Sequence, residues 1–180
     1  MIKFVGNTKK IFNWNNVIAD LELQTPNFVG PSHSREDKLP GLDEILDMWG
    51  NFPIDYQKNG GEIGWDMFIP EQNFDKKLLD DFADFVGLTE YNGGWISRLN
   101  PGMIVPLHWD VQDNENDIKN KVFKRYHCHI SPPEWGHVFF VEGVPFVQQD
   151  QGNVYKWNSR KLWHAGNNVG WKPKYLLNFW

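Results

Sequence analysis

A mainly β fold with flanking helices, built as a double-sheet jelly roll or barrel, is what this sequence predicts. Three observations carry that expectation. From Tyr91 onward there are eight short runs of alternating, β-branched or aromatic residues. Turn-forming residues stand between them. Stripes at helical spacing occur only in the first half, where helices would pack on the outside of one sheet.

The elements follow in chain order. Asn15–Leu23 suits a short helix capped by Asn13, Asn15 or Asn16. Thr25–Pro40, rich in Pro, Ser and Gly, predicts a long loop. Leu42, Ile45, Leu46 and Trp49 keep helical spacing up to Gly50, and residues Asn51–Gly64 again look like loop. Phe74, Leu78, Leu79, Phe82, Phe85 and Val86 share one helical stripe closed by Gly87. Residues 1–90 are thus expected as a helix-and-loop portion packed on a core formed by residues 91–180, the whole being one domain. The expected strands are Trp95–Leu99, Met103–Leu107, Val122–Ile130, His137–Val141, Pro145–Gln148, Asn153–Trp157, Lys161–His164 and Lys174–Trp180. Glu142-Gly143 between two of them is a hairpin signal, because Gly supplies positive φ.

Length and composition bound the function. With 180 residues there is room for one domain with a real core. Aromatic residues make up 16%, with ten Trp, which favours a β-rich core or an aromatic-lined pocket. The net charge of −5 argues against a nucleic-acid partner. The imbalance is uneven: residues 1–90 hold 16 acidic against 8 basic side chains, and residues 91–180 hold 7 against 10. A mildly basic second half suits a small anionic ligand, although chance imbalance between two faces explains the charge equally well. The single cysteine, Cys128, points to a reducing compartment, expected to be the cytoplasm, and to a core position. No apolar run is long enough for a signal peptide or a membrane span, so no membrane partner is expected.

Two histidines stand at strand ends with suggestive neighbours. In His108-Trp109-Asp110 the first and third side chains of an extended chain point the same way, so an imidazole and a carboxylate can bind one ion. His164 closes another expected strand. Two His and one carboxylate on one side of an ion leave the other side open. Non-haem iron(II) needs that opening for a bidentate keto acid and then O₂. Tetrahedral zinc fits less well, since there is no second Cys and no paired Cys or His motif. An H-x-D triplet alone is often just a surface His near an acid, so its surroundings matter. Ser97–Gly102 leads by strand and turn into the strand that ends in the triplet, and Arg125-Tyr126-His127 follows it. Gly152 and an aromatic strand precede His164, Asn168 follows it, and Lys174 comes ten residues after it.

Over Tyr91–Trp180 this pattern resembles the aspartyl/asparaginyl β-hydroxylase family of 2-oxoglutarate- and iron(II)-dependent oxygenases. The resemblance implies a double-stranded β-helix of cupin-like form with the metal at its mouth. It implies an oxidoreductase that hydroxylates an Asp/Asn-type side chain in a peptide or a small amino-acid-like substrate, with Fe(II), 2-oxoglutarate and O₂ as cofactor and co-substrates. His108, Asp110 and His164 match the metal positions, and Ser97 and His127 match positions that contact 2-oxoglutarate. Arg125 shares the face of His127. Lys174 stands where the family's usual Arg pairs the far carboxylate, and it would act as a point charge where an Arg acts as a fork. Either Lys174 alone or Lys174 with Arg125 is the expected anchor.

The supporting residues have plainer readings too. Of His127 and His129, on one strand face, one is expected inside and the other in solvent, with His127 preferred inside. Trp109 is expected to pack, His137 and Glu134 to sit in a solvated loop, and Asn168 either to shape a turn or to orient His164. His33 has no nameable partner. Two other functions remain open: a cupin-type metalloenzyme that uses no keto acid, which would not need Lys174, and a non-catalytic jelly-roll binding module, which would not need the three ligands to converge. Substrate identity and oligomeric state are not written in the sequence.

Overall fold

A computed structural model describes residues 2–27, 47, 48, 56, 62–109, 124–158 and 162–180. Two facing sheets make the body. One contains six strands in the order β1 (Lys3–Asn7), β9 (Asn153–Trp157), β6 (Arg125–His129), β11 (Lys174–Phe179), β4 (Gly94–Leu99) and β3 (Asp66–Phe68). The other contains five, in the order β2 (Glu62–Ile63), β5 (Met103–His108), β10 (His164–Asn168), β7 (His137–Val141) and β8 (Val144–Val147). All neighbours run antiparallel except β2 and β5. This is the jelly-roll architecture expected.

Helix α1 (Trp14–Glu22) begins at Asn13, whose side chain accepts the Asn16 N–H at 3.3 Å. Helix α2 (Lys77–Val86) ends at Gly87 in the left-handed region, φ 71°. Its capping N–H groups close on Ala83 and Asp84 carbonyls. Both helices cover the outer face of the six-stranded sheet. Trp14 and Leu21 from α1, and Leu79, Phe82 and Ala83 from α2, meet Ile96, Tyr126, Cys128, Val154, Tyr175, Leu177 and Phe179 from the strands. Gly94 is needed at this seam: a Cβ there would lie 2.8 Å from the Asn178 carbonyl oxygen and 3.1 Å from Leu79. Phe82 is fully buried, with its ring 5.1 Å from that of Phe179. Phe82→Ala is expected to destabilise the fold by about 3–5 kcal/mol, read from the denaturant midpoint.

The β7–β8 hairpin turns on Glu142 and Gly143, both at positive φ, 51° and 78°. The structure differs from expectation in two places. The first 90 residues are more than helix and loop: β1 and β3 form opposite edges of the six-stranded sheet, and β2 joins the other. These strands are two to five residues long, so their ladders depend on partners distant in sequence. The second difference is β10, which starts at His164, where the expected strand ended, and runs on to Asn168. Its His-Ala-Gly-Asn-Asn sequence has turn propensity, but an interior position between β5 and β7 overrides it. Of the expected Leu42–Trp49 helix, only Asp47 and Met48 are described, and both are helical. Most of the expected Thr25–Pro40 loop, including His33, lies outside the described residues. Among the described residues, no helix is long and apolar enough to cross a membrane.

Candidate metal and keto-acid site

The two faces of the six-stranded sheet differ in chemistry. On β6, Tyr126 and Cys128 point into the apolar cluster under the helices, so Arg125, His127 and His129 point between the sheets. On β11, Tyr175, Leu177 and Phe179 share that apolar cluster, which turns Lys174, Leu176 and Asn178 inward. Ser97 on β4 joins them. All of these except Leu176 are polar, and all are buried. Burying so many polar groups is costly unless they find partners or a ligand.

From the opposite sheet, His108 and His164 are register partners across β5 and β10, and their ring centroids lie 4.3 Å apart. Each is oriented in the same way. His108 Nδ1 is 2.8 Å from the Pro106 carbonyl oxygen, and His164 Nδ1 is 2.9 Å from that of Leu162. A carbonyl can only accept, so each Nδ1 carries the proton and donates. In a neutral ring this arrangement leaves the lone pair on Nε2, the atom then free to ligate a metal. A bulge between His164 and Gly166 interrupts the β5–β10 ladder beside the pair. Bulges of this kind re-aim side chains near functional sites. Asp110 lies outside the described residues, so the structure brings together two of the three expected ligands. Among the described residues, no group of three His, Cys, Asp or Glu is placed to hold a metal.

His127 stands near the paired imidazoles, its ring 6.2 Å from His164 and packed against Phe139 at 4.9 Å and Trp157 at 4.6 Å. Ser97 Oγ accepts from Asn178 Nδ2 at 2.8 Å and from Trp95 Nε1 at 2.9 Å. With both lone pairs engaged, its hydroxyl proton is left to donate.

Lys174 lies deeper. Its Nζ donates to the Val138 carbonyl oxygen at 2.6 Å. Val138 is three residues along β7 from Val141, the partner of His164, or about 10 Å. Lys174 is 1% exposed, and its ammonium has no carboxylate within ion-pair distance among the described residues. Burial pushes its pKa down to about 7. Between that value and the ordinary lysine value, the unfolded chain binds more protons than the folded one, so ligand-free stability should rise as pH increases across this window. Lys174→Met should flatten that rise and leave the ligand-free protein more stable near pH 7, as thermal melts at several pH values would show.

Arg125 does not share that position. In the β6–β11 register His129 opposes Leu176 and His127 opposes Asn178, which sets Arg125 opposite Trp180, six residues beyond Lys174, or about 20 Å. Its guanidinium stacks over the rings of Trp180 at 4.7 Å and Trp95 at 5.6 Å. The two cations therefore lie at opposite ends of the inner face.

Several smaller expectations change. His129 is buried, as His127 is, so neither faces solvent. The reason is that β6 is covered on both sides, by the helices and by the facing sheet. His137 is also buried, with Nε2 2.9 Å from the Lys172 carbonyl oxygen, and Glu134 pairs with Lys172 at 3.3 Å. Asn168 does not orient His164. Its amide donates to the Leu99 and Lys172 carbonyls at 2.7 and 2.8 Å, at the far end of β10. Trp109 packs edge-to-face on Trp163 at 4.4 Å. Cys128 is fully buried beside Thr8, and burial pushes its thiol up to about 12, so it stays protonated.

No family model and no curated protein matches the sequence. Solved structures similar to it include the viral collagen prolyl hydroxylase of Paramecium bursaria Chlorella virus-1 in its 2OG complex. The two are 19% identical with a TM-score of 0.46, over 77% of this chain and 89% of that one. A Pseudomonas putida prolyl-4-hydroxylase is 11% identical with a TM-score of 0.45, over 92% of this chain and 97% of that one. A cupin domain from Bordetella pertussis Tohama I is 11% identical with a TM-score of 0.36, over 51% of this chain and 81% of that one.

Proposed function

We propose that this chain is a 2-oxoglutarate- and iron(II)-dependent oxygenase acting on an Asp/Asn-type side chain in a peptide or a small amino-acid-like substrate. One observation carries the reading: two adjacent imidazoles, each held by a main-chain carbonyl in the tautomer that ligates metal, open onto an interior that ends in a buried lysine with no carboxylate partner among the described residues. His108, His164 and the carboxylate of Asp110 would hold the iron. Iron(II) with 2-oxoglutarate and O₂ supplies hydroxylation of a C–H bond with release of CO₂ and succinate.

The chain's own residues bind, orient and exclude. The Pro106 and Leu162 carbonyls keep both imidazoles in one tautomer. Lys174 pairs the far carboxylate of the keto acid at depth, and the Ser97 hydroxyl donates a hydrogen bond on the way. His127 lines the passage between them, and Phe139 and Trp157 keep it dry. Arg125, held by two Trp rings at the opposite end, offers a cation to an acidic group of the substrate or the keto acid. A cupin-type enzyme working without a keto acid leaves Lys174 unexplained, and a binding module leaves the matched imidazole pair unexplained.

Anaerobic calorimetry tests this. One iron(II) per chain should bind, followed by one 2-oxoglutarate per iron, with the keto acid binding weakly when metal is withheld. Binding of 2-oxoglutarate that ignores the metal would contradict the reading.

A further inference from the structure

On the inner face of the six-stranded sheet, His129 is the histidine that the metal and keto-acid assignments above leave unused. Its Nε2 is buried and has no hydrogen-bond partner among the described residues. A buried polar atom left unpaired is costly, so its retention asks for a ligand. Its position identifies which one. His129 opposes Leu176, so Lys174 is its same-face diagonal neighbour on β11. Phe139 and Tyr155 wall it in, with ring centroids at 6.1 and 6.0 Å.

We infer that His129 and Lys174 form a single anion pocket that takes the far carboxylate of a five-carbon dicarboxylic keto acid and selects against keto acids lacking it. This rests on the oxygenase reading above. The ammonium supplies charge, and the imidazole, protonated at Nε2, supplies a directed neutral donor. Together they give a carboxylate two partners, which the Lys174 ammonium alone does not. His129 stays neutral there: burial, the Lys174 charge and His137 push its pKa down to about 3. The pocket thus holds one positive charge, at Lys174, and His129 adds a donor without a second charge to desolvate.

The test titrates the manganese(II)-loaded full chain with 2-oxoglutarate and with 2-oxobutyrate, which lacks the far carboxylate. The parent should prefer 2-oxoglutarate. His129→Phe should weaken 2-oxoglutarate about ten- to hundredfold and leave 2-oxobutyrate and manganese binding unchanged. His129→Gln, which keeps an N–H donor, should recover much of the loss. Unchanged 2-oxoglutarate binding in His129→Phe overturns the pocket, as does equal weakening for both keto acids; the oxygenase reading survives either result. A parent that binds neither keto acid overturns both. In the unmodified protein, the His129 Nε2 proton resonance should shift when 2-oxoglutarate is added. A resonance that stays in place overturns the pocket without any variant that has to fold.

Discussion

Replacing Lys174 with methionine should lower the affinity for 2-oxoglutarate by two or more orders of magnitude while metal affinity barely changes. The argument is electrostatic. A carboxylate taken from water into the space between the sheets is costly unless it is paired and hydrogen-bonded. Breaking a buried pair by removing one partner typically costs about 3–5 kcal/mol, and each 1.4 kcal/mol is about tenfold in affinity. Lys174 is fully buried, and its described polar partner is the Val138 carbonyl, so no described cation at that depth takes its place. Arg125 is too distant along the register to compensate. Lys174→Arg should keep part of the affinity if its larger fork fits beside Val138. The ligand-free Met variant should meanwhile be more stable than the parent near pH 7, because a desolvated ammonium has been removed. Gained stability together with lost binding separates a ligand-binding lysine from a structural one. Unchanged 2-oxoglutarate affinity would remove Lys174 from the site.

The second large effect concerns the metal. His164→Ala should reduce iron(II) affinity by about hundredfold or more, since even outer partners of metal ligands are worth about 10–100-fold. Asp110→Ala should do the same, because the aspartate supplies the only negative charge among the proposed ligands. Trp163→Phe, outside the site, should change metal affinity little. Both ligand variants should keep the parent's far-ultraviolet dichroism, because the larger apolar cluster lies on the outer face of the other sheet. Wild-type iron affinity in His164→Ala would show that the paired imidazoles are not ligands.

Much of the barrel was legible in the sequence because its strands are punctuated. Pro-Gly, Glu-Gly and Gln-Gly turns bound runs whose side chains alternate. The short edge strands β1, β2 and β3 carry little periodic signal, and their pairing is a tertiary event. The H-x-D triplet singles out His108, and the β5–β10 register sets it opposite His164. Of His127 and His129, which share one strand face, one was expected inside and one in solvent, and both are buried. The signal was present in Arg125-Tyr126-His127-Cys128-His129: its period of two puts three titratable side chains on one face and Tyr126 and Cys128 on the other. A strand with a helix-covered apolar face can still bury its polar face when a second sheet lies opposite. Of the two readings of Asn168 the turn-shaping one holds, since its side chain accepts from the Gly170 N–H and donates to the Lys172 carbonyl. The place of Asn168 beside His164 in sequence became the far end of the same strand in space.

Turnover tests the central claim most directly. Iron(II)-loaded protein supplied with 2-oxoglutarate and O₂ should convert 2-oxoglutarate to succinate and CO₂ in equal amounts. The rate should rise when an Asp- or Asn-containing peptide or amino acid is the substrate, and His164→Ala should abolish it. Absence of succinate from a protein shown to bind both iron and 2-oxoglutarate, across peptide and small-molecule substrates, would contradict the account.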